Sequence, residues 1–224
     1  MRIKNLWLPI VILSYLPVLF IAAYDLFAGV KVAIYTALVY LALALIPARL
    51  VRWNLFKGEI RRKLALVFAR RKQFGISTGF MVFLHSALAI LAYSGIRENA
   101  FSFNFFVSRE IFLGFAAEII FLVMVITSIG SIISLLDKKW KPLHRLVWVA
   151  VIFGLIHSQL ASKLYTGSSS NLAFLFFTVF IIAAVLDLIL AVAQKRSIKV
   201  AVITLLLIAT GFSFSISVLM LLGL

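Results

Sequence analysis

The chemistry of this chain centres on its three histidines, His85, His144 and His157. Each falls in or at the edge of a long apolar run, where an ionisable side chain is costly unless it has a partner or a function. Neutral imidazole is also the commonest side-chain metal ligand. The sequence therefore predicts that these residues hold a metal-containing group, with haem as the leading candidate, inside a membrane.

His85 and His157 are predicted to lie at similar depths. A helix rises about 1.5 Å per residue, so helices that enter near Phe74 and His144 place His85 roughly 16 Å and His157 roughly 20 Å into the bilayer. Two parallel helices that each present one imidazole at one level can coordinate a haem iron from both faces, between apolar walls. The alternative is a pair of buried histidines that hydrogen bond across two helices.

His144 differs because it lies at the membrane edge beside Lys141 and Arg145. It is either a ligand of a second haem or an interfacial residue that contacts lipid headgroups. Thirteen residues separate it from His157, which leaves the two side chains roughly 140° apart around a regular helix. Arg71, close to the helix face of His85, can bind a propionate, a flavin phosphate or a quinone carbonyl, but it is a poor iron ligand.

Composition identifies an integral membrane protein. The chain has 224 residues, of which 64% are hydrophobic, and a mean hydropathy of +1.16, well above a soluble domain. It has no cysteine, which excludes disulfides, iron–sulfur clusters and covalently attached c-type haem. The net charge of +15 is explained by the sidedness of membrane loops, and no nucleic-acid partner is expected.

The apolar runs predict an all-α fold, a polytopic transmembrane bundle of six to seven helices in a single domain, 1–224. A span needs roughly 20 apolar residues. The second run is short and the seventh has few anchoring residues. The predicted spans are 6–25, 31–48, 74–95, 110–135, 143–164, 171–194 and 198–223.

Basic residues set the predicted orientation. With the N-terminus in the cytoplasm, 18 of the 22 Lys and Arg lie on the inner side and four on the outer side, as expected for a bacterial inner-membrane protein. Half of the inner ones lie in the 49–73 loop, where Ile60 to Lys72 mixes basic and apolar residues. This segment is predicted to lie on anionic membrane lipid, or to dock an acidic partner or a flavin phosphate.

The segments that combine these features are Ile46-Pro-Ala-Arg49, Arg70-Arg71-Lys-Gln-Phe-Gly75, His85, Thr127-Ser128, Lys139-Trp140-Lys-Pro-Leu-His144-Arg145 and His157. Together they resemble the ferric-reductase-like transmembrane family over roughly residues 35–165. Within that family, they are most similar to the haem-binding subunits of bacterial methionine sulfoxide reductase systems. The most specific piece is Lys-Trp-x-x-Leu-His with a second histidine 13 residues later.

The resemblance implies b-type haem with His85 and His157 as axial ligands and His144 as the inner histidine of the fifth span. NADPH oxidases and ferric reductases of the wider family carry a fourth histidine where Arg71 stands here. One haem is therefore expected, a second would need His144 with another ligand, and FMN is left open. The resemblance also implies electron transfer from quinol or a cytoplasmic flavin reductase to a periplasmic molybdopterin-type subunit that repairs oxidised methionine.

Two other functions stand beside this one. A single-chain ferric or other metal reductase would bind its acceptor at the outer face, where only Asp25, Glu98 and Glu110 are acidic. A non-redox transporter or assembly protein would use Glu118, Asp187 and the histidines as polar contacts between helices, but the internal repeats typical of transporters are not evident. Since the chain has no nucleotide-binding motif, any nicotinamide-binding module must lie on another chain.

Overall fold

The computed structural model describes residues 7–54, 56–94, 109–166, 171–194 and 202–209, and the regular structure in these ranges is helical. This confirms the predicted helical transmembrane bundle. By contacts, the chain groups into two compact units, residues 1–102 and 103–224.

The first unit contains α1 (Trp7–Tyr24), α2 (Leu26–Trp53), α3 (Gly58–Ala69) and α4 (Arg71–Ser94). Helix α2 begins at once after α1 because the Asp25 carboxylate accepts a hydrogen bond from the Ala28 backbone N–H at 3.0 Å, which satisfies a donor of the first turn. It ends at Asn54, whose φ of 57° is left-handed, a common helix stop. The predicted 31–48 span was therefore too short at both ends.

Helix α2 packs against α4. Several of the buried residues of these two helices are small or hydroxylated. The hydroxyls of Ser77 and Thr78 each donate to the carbonyl four residues earlier at 2.9 Å, so these groups are buried without an unmet donor. Small residues at this contact let the two backbones approach closely. The buried residues of the pair include Ala33, Ala37, Ser77, Thr78 and Met81.

Helix α3 is the basic amphipathic segment expected in the 49–73 loop. All its residues are described, and none is buried. Glu59 and Lys63 form an i,i+4 ion pair at 2.9 Å on its exposed surface, while Ile60 and Leu66 are 56% and 65% exposed. The helical part of the prediction is confirmed; the lipid contact stays a prediction.

The second unit contains α5 (Arg109–Ile126), α6 (Gly130–Leu136), α7 (Trp140–Leu143), α8 (Val147–Thr166) and α9 (Asn171–Ala193), with a further helix over 202–209. Short 3₁₀ turns at Asp137–Lys139 and His144–Leu146 join α6, α7 and α8. Helix α8 then runs without interruption past Gly154. The local irregularity in this region therefore lies at His144 itself.

The prediction of one span over 110–135 was wrong, because the helix breaks at residues 127–129 between α5 and α6. The Thr127 and Ser128 hydroxyls donate to the Val123 and Met124 carbonyls, both at 2.7 Å. Side-chain bonds of this kind compete with the helical backbone pattern. Gly130, a poor helix former, then begins α6.

Helix α5 packs against α8, and this contact forms much of the buried core of the second unit. Leu113 and Ala150 are fully buried at its centre, each 0% exposed. A short side chain at residue 150 and the glycine at residue 114 allow the helices to lie close together.

Three helices are long and apolar enough to cross a membrane by length and composition: Leu26–Trp53, Arg71–Tyr93 and His144–Ala161. Shorter apolar helices cover Ile12–Tyr24, Ile111–Ile126 and Ile181–Ala193. These correspond to the first six predicted spans. Most of the seventh, 198–223, lies outside the described residues, and only the helix over 202–209 is seen.

Candidate functional site

His85 lies on α4 in the first unit and is tied to the neighbouring helix α2. Its Nδ1 is 2.9 Å from the Val30 carbonyl oxygen. A carbonyl can only accept, so Nδ1 must carry the proton. In a neutral imidazole with the proton on Nδ1, the lone pair is on Nε2. The bond thus orients the ring and selects the tautomer that a metal ligand needs.

Arg71 is the first residue of α4, so it shares a helix with His85, as the sequence predicted. Its side chain is exposed, and the guanidinium carbon lies 4.7 Å from the centre of the Phe68 ring. A guanidinium over an aromatic face is a cation–π contact. The group keeps its charge there and can bind an anionic substituent.

His157 lies on α8 in the second unit, directly against α5. A Cβ built on Gly114 would lie 2.8 Å from Nδ1 and 2.9 Å from both Cδ2 and Cε1 of the imidazole. The ring therefore occupies space that any other residue at position 114 would fill. Its side chain is half-buried in this unit.

His144 belongs to the second unit as well, in the 3₁₀ turn before α8. Its Nε2 is 3.3 Å from the Thr127 hydroxyl oxygen. Thr127 has one hydroxyl proton, which it donates to the Val123 carbonyl at 2.7 Å, so the hydroxyl oxygen accepts from Nε2–H of His144. His144 is thus held in the opposite tautomer to His85, with the proton on the nitrogen that faces Thr127.

Trp140 completes the surroundings of His144. The two ring centres are 4.6 Å apart at an angle of 41°. The indole Nε1 of Trp140 is buried, and it has no hydrogen-bond partner among the residues that the structure describes. A buried donor of this kind fits an oxygen acceptor such as a carboxylate or a carbonyl.

The donor set fits a haem better than a bare metal ion. Within the described ranges, no group of three or more His, Asp or Glu side chains is arranged to hold a metal ion, whereas a b-type haem needs only one or two axial imidazoles. His85 belongs to the first unit and His157 to the second, so their joint coordination of one iron stays a prediction. Of the other intramembrane carboxylates, Asp187 is buried and Glu118 half-buried.

Sequence reasoning identified the histidines but not their partners. The Val30 carbonyl is a backbone group, so no residue type marks it in the sequence. Thr127 belonged to the segments that carried the family resemblance, and its bond to His144 depends on the helix break. Nothing in the sequence indicates that Gly114 lies against His157.

Comparison with known proteins identifies the family. Residues 32–155 match the ferric reductase like transmembrane component family, a stretch that includes His85 and His144 and ends two residues before His157. Over 100 residues, or 45% of this chain, the sequence is 28% identical to the protein-methionine-sulfoxide reductase heme-binding subunit MsrQ of Agrobacterium fabrum. The match spans 46% of that relative, about half of its length.

No solved structure matches the chain. The family match nevertheless covers more than half of the sequence and includes α4, most of α2 and all of α5. Its transmembrane character agrees with the long apolar helices, and the protein is a multi-pass protein of the inner membrane. The chain therefore belongs to the family of ferric reductase like transmembrane components.

Proposed function

We propose that this protein is a haem b-carrying electron-transfer subunit, with one haem held between His85 and His157 in a core at residues 35–165. The family match and the relative named as a heme-binding subunit support a membrane electron-transfer role. The observation that carries the ligand assignment is the Nδ1–H bond from His85 to the Val30 carbonyl. This is the arrangement typical of a metal-binding histidine.

His157 is the proposed second axial ligand. In the second unit its ring is held between α8 and α5 against Gly114, so the side chain is oriented before a cofactor binds. An oriented ligand loses less freedom when it coordinates. The depths predicted from the sequence, roughly 16 Å for His85 and roughly 20 Å for His157, support this pairing.

His144 is not proposed as an axial ligand. The Nε2 of His144 is engaged with the Thr127 hydroxyl, so this nitrogen does not offer a lone pair to a haem iron. A second haem would require that bond to break and another ligand to replace the absent fourth histidine. We assign His144 and the buried Trp140 indole to the inner end of the path, where electrons enter.

The haem, when bound, supplies a one-electron carrier. His85 and His157 would hold the haem through their imidazoles, and the orientation of these rings and the apolar character of the helices would influence its potential. Arg71, at the start of α4, is available to a haem propionate or to an anionic group of the donor.

The electron donor and acceptor are proposed from the predicted orientation of the chain. The inner side carries most of the basic residues, which suits quinol at the membrane surface or a cytoplasmic flavin reductase, with FMN as a possible carrier. The acceptor proposed for the outer side is a molybdopterin-type methionine sulfoxide reductase subunit. The name of the relative, a protein-methionine-sulfoxide reductase heme-binding subunit, supports a catalytic partner of this kind in general.

A single-chain metal reductase is the second candidate, because the matching family is named for ferric reductase. It differs in needing no protein partner at the outer face. Reduction of a ferric chelate by the purified chain at rates independent of any added catalytic subunit would favour it.

The first test is a reduced-minus-oxidised spectrum of the purified full chain with haem counted by pyridine extraction. We expect a low-spin b-type spectrum with about one haem per chain, as for a bis-histidine site. His85→Ala and His157→Ala should each lose haem, whereas His144→Ala, the matched control, should keep it. Full haem content in either of the first two variants would refute the ligand assignment, and colourless wild-type protein would refute the function.

A further inference from the structure

The contact between Gly114 and His157 carries an inference that rests on the proposed function. A Cβ at residue 114 would be almost equally distant, 2.8–2.9 Å, from Nδ1, Cδ2 and Cε1 of the imidazole. A point equally distant from three atoms of a flat ring lies above the face of the ring, not at its edge. The imidazole therefore lies flat against the backbone of α5 at Gly114.

Two other helical glycines differ from Gly114 in this respect. The glycines at 75 and 154, also inside helices, have nothing within 4 Å of an added Cβ. Gly154 lies one helical turn before His157 on the same helix. A glycine inside a helix destabilises the helix relative to alanine. Gly154 lies in open space, so alanine can replace it, whereas Gly114 leaves room for the imidazole of His157.

The helices around Gly114 leave little freedom to adjust. Leu113 beside it and Ala150 on α8 are both 0% exposed, and Ala117 one turn later is 4% exposed. Carbon atoms in contact prefer separations of about 3.5–4.0 Å, so an alanine at 114 requires a shift of roughly 1 Å. The imidazole is the end of a rotatable side chain, and it can move more readily than the packed backbones.

We propose that Gly114 is a positioning residue that sets the plane of the His157 imidazole and thereby the geometry of this axial ligand. Groups that orient a coordinating histidine influence metal affinity and the electronic properties of the metal. Replacing Gly114 with alanine turns or withdraws the ring. The α5 backbone at this position thus constrains His157 sterically, as the Val30 carbonyl constrains His85 by a hydrogen bond.

The test compares Gly114→Ala with Gly154→Ala in the full-length, haem-loaded protein. Electron paramagnetic resonance of the ferric haem and a redox titration report on ligand orientation, and transfer of haem to an excess of apomyoglobin reports on affinity. For Gly114→Ala we expect shifted g-values, a changed midpoint potential and haem affinity lower by about 10-fold to 100-fold. For Gly154→Ala we expect wild-type behaviour.

A haem-loaded Gly114→Ala protein with unchanged g-values, potential and haem affinity would overturn this inference while leaving the proposed function intact. A colourless wild-type protein would overturn both. If Gly114→Ala does not fold, the double variant His157→Gly/Gly114→Ala decides. A folded double variant supports the contact with the ring, whereas an unfolded one means that the glycine serves only helix packing.

Discussion

The bond between Thr127 and His144 leads to the most direct prediction about the role of His144. Thr127→Val keeps the shape of the side chain but removes the acceptor for Nε2–H. The 3.3 Å separation lies at the long end of the range for N–H···O bonds. We therefore expect the bond to contribute about 0.5–1 kcal/mol to the free energy of unfolding, the lower half of the usual range.

A double-mutant cycle isolates this contribution. His144→Phe removes both ring nitrogens and keeps an aromatic ring against Trp140, which lies 4.6 Å away between ring centres. The interaction free energy is the difference between the double variant and the sum of the single variants. Unfolding of the detergent-solubilised, haem-loaded protein in a denaturant titration provides the four values.

Ser128→Ala is the matched control. The Ser128 hydroxyl lies in the same helix break and donates to the Met124 carbonyl at 2.7 Å, but the imidazole of His144 bonds to Thr127. The Ser128→Ala and His144→Phe changes should therefore be additive within about 0.3–0.5 kcal/mol. If Thr127→Val proves equally additive with His144→Phe, the hydrogen bond is not formed, and His144 is again available as an iron ligand.

Three further outcomes are expected. Histidine-selective ¹⁵N NMR of the haem-free protein should find His85 protonated at Nδ1, and a proton on Nε2 instead would contradict the bond to its neighbouring helix. Gly29→Ala should lower the midpoint of thermal unfolding markedly, because the new Cβ would lie 2.7 Å from the Ala22 Cα, a backbone atom that cannot move away by a side-chain rotation. An unchanged midpoint would contradict this packing. Gln at both Arg61 and Arg62 should reduce the amount of anionic lipid that co-purifies, and equal lipid retention would argue against the lipid-facing role of α3.

The helical architecture was largely predictable because long apolar runs in a membrane have few alternatives to helices. The errors occurred where polar groups decide the outcome. Asp25 caps α2 and extends it toward the N-terminus, which a hydropathy pattern does not reveal. Thr127 and Ser128 interrupt the predicted 110–135 span because their hydroxyls bond to carbonyls of the preceding turn.

The candidate site was predictable only in its residue types. Imidazole in an apolar span is conspicuous in a sequence, so His85, His144 and His157 could all be selected as site residues. Their tautomers could not be derived from the sequence. One depends on a backbone carbonyl 55 residues away, and the other depends on the hydroxyl of Thr127 in the helix break. The partner of Gly114 was likewise hidden, because a glycine shows that space is needed but not what fills it.

The hydrogen bonds of His85 and His144 assign different tasks to the same side chain. At His85, the carbonyl acceptor holds the proton on Nδ1, so the lone pair of the neutral ring is on Nε2, the nitrogen proposed to coordinate iron. At His144, the hydroxyl acceptor holds the proton on Nε2. The lone pair of the neutral ring is then on Nδ1. Under the proposed function, the two histidines therefore differ in which ring nitrogen can accept a proton or bind a metal.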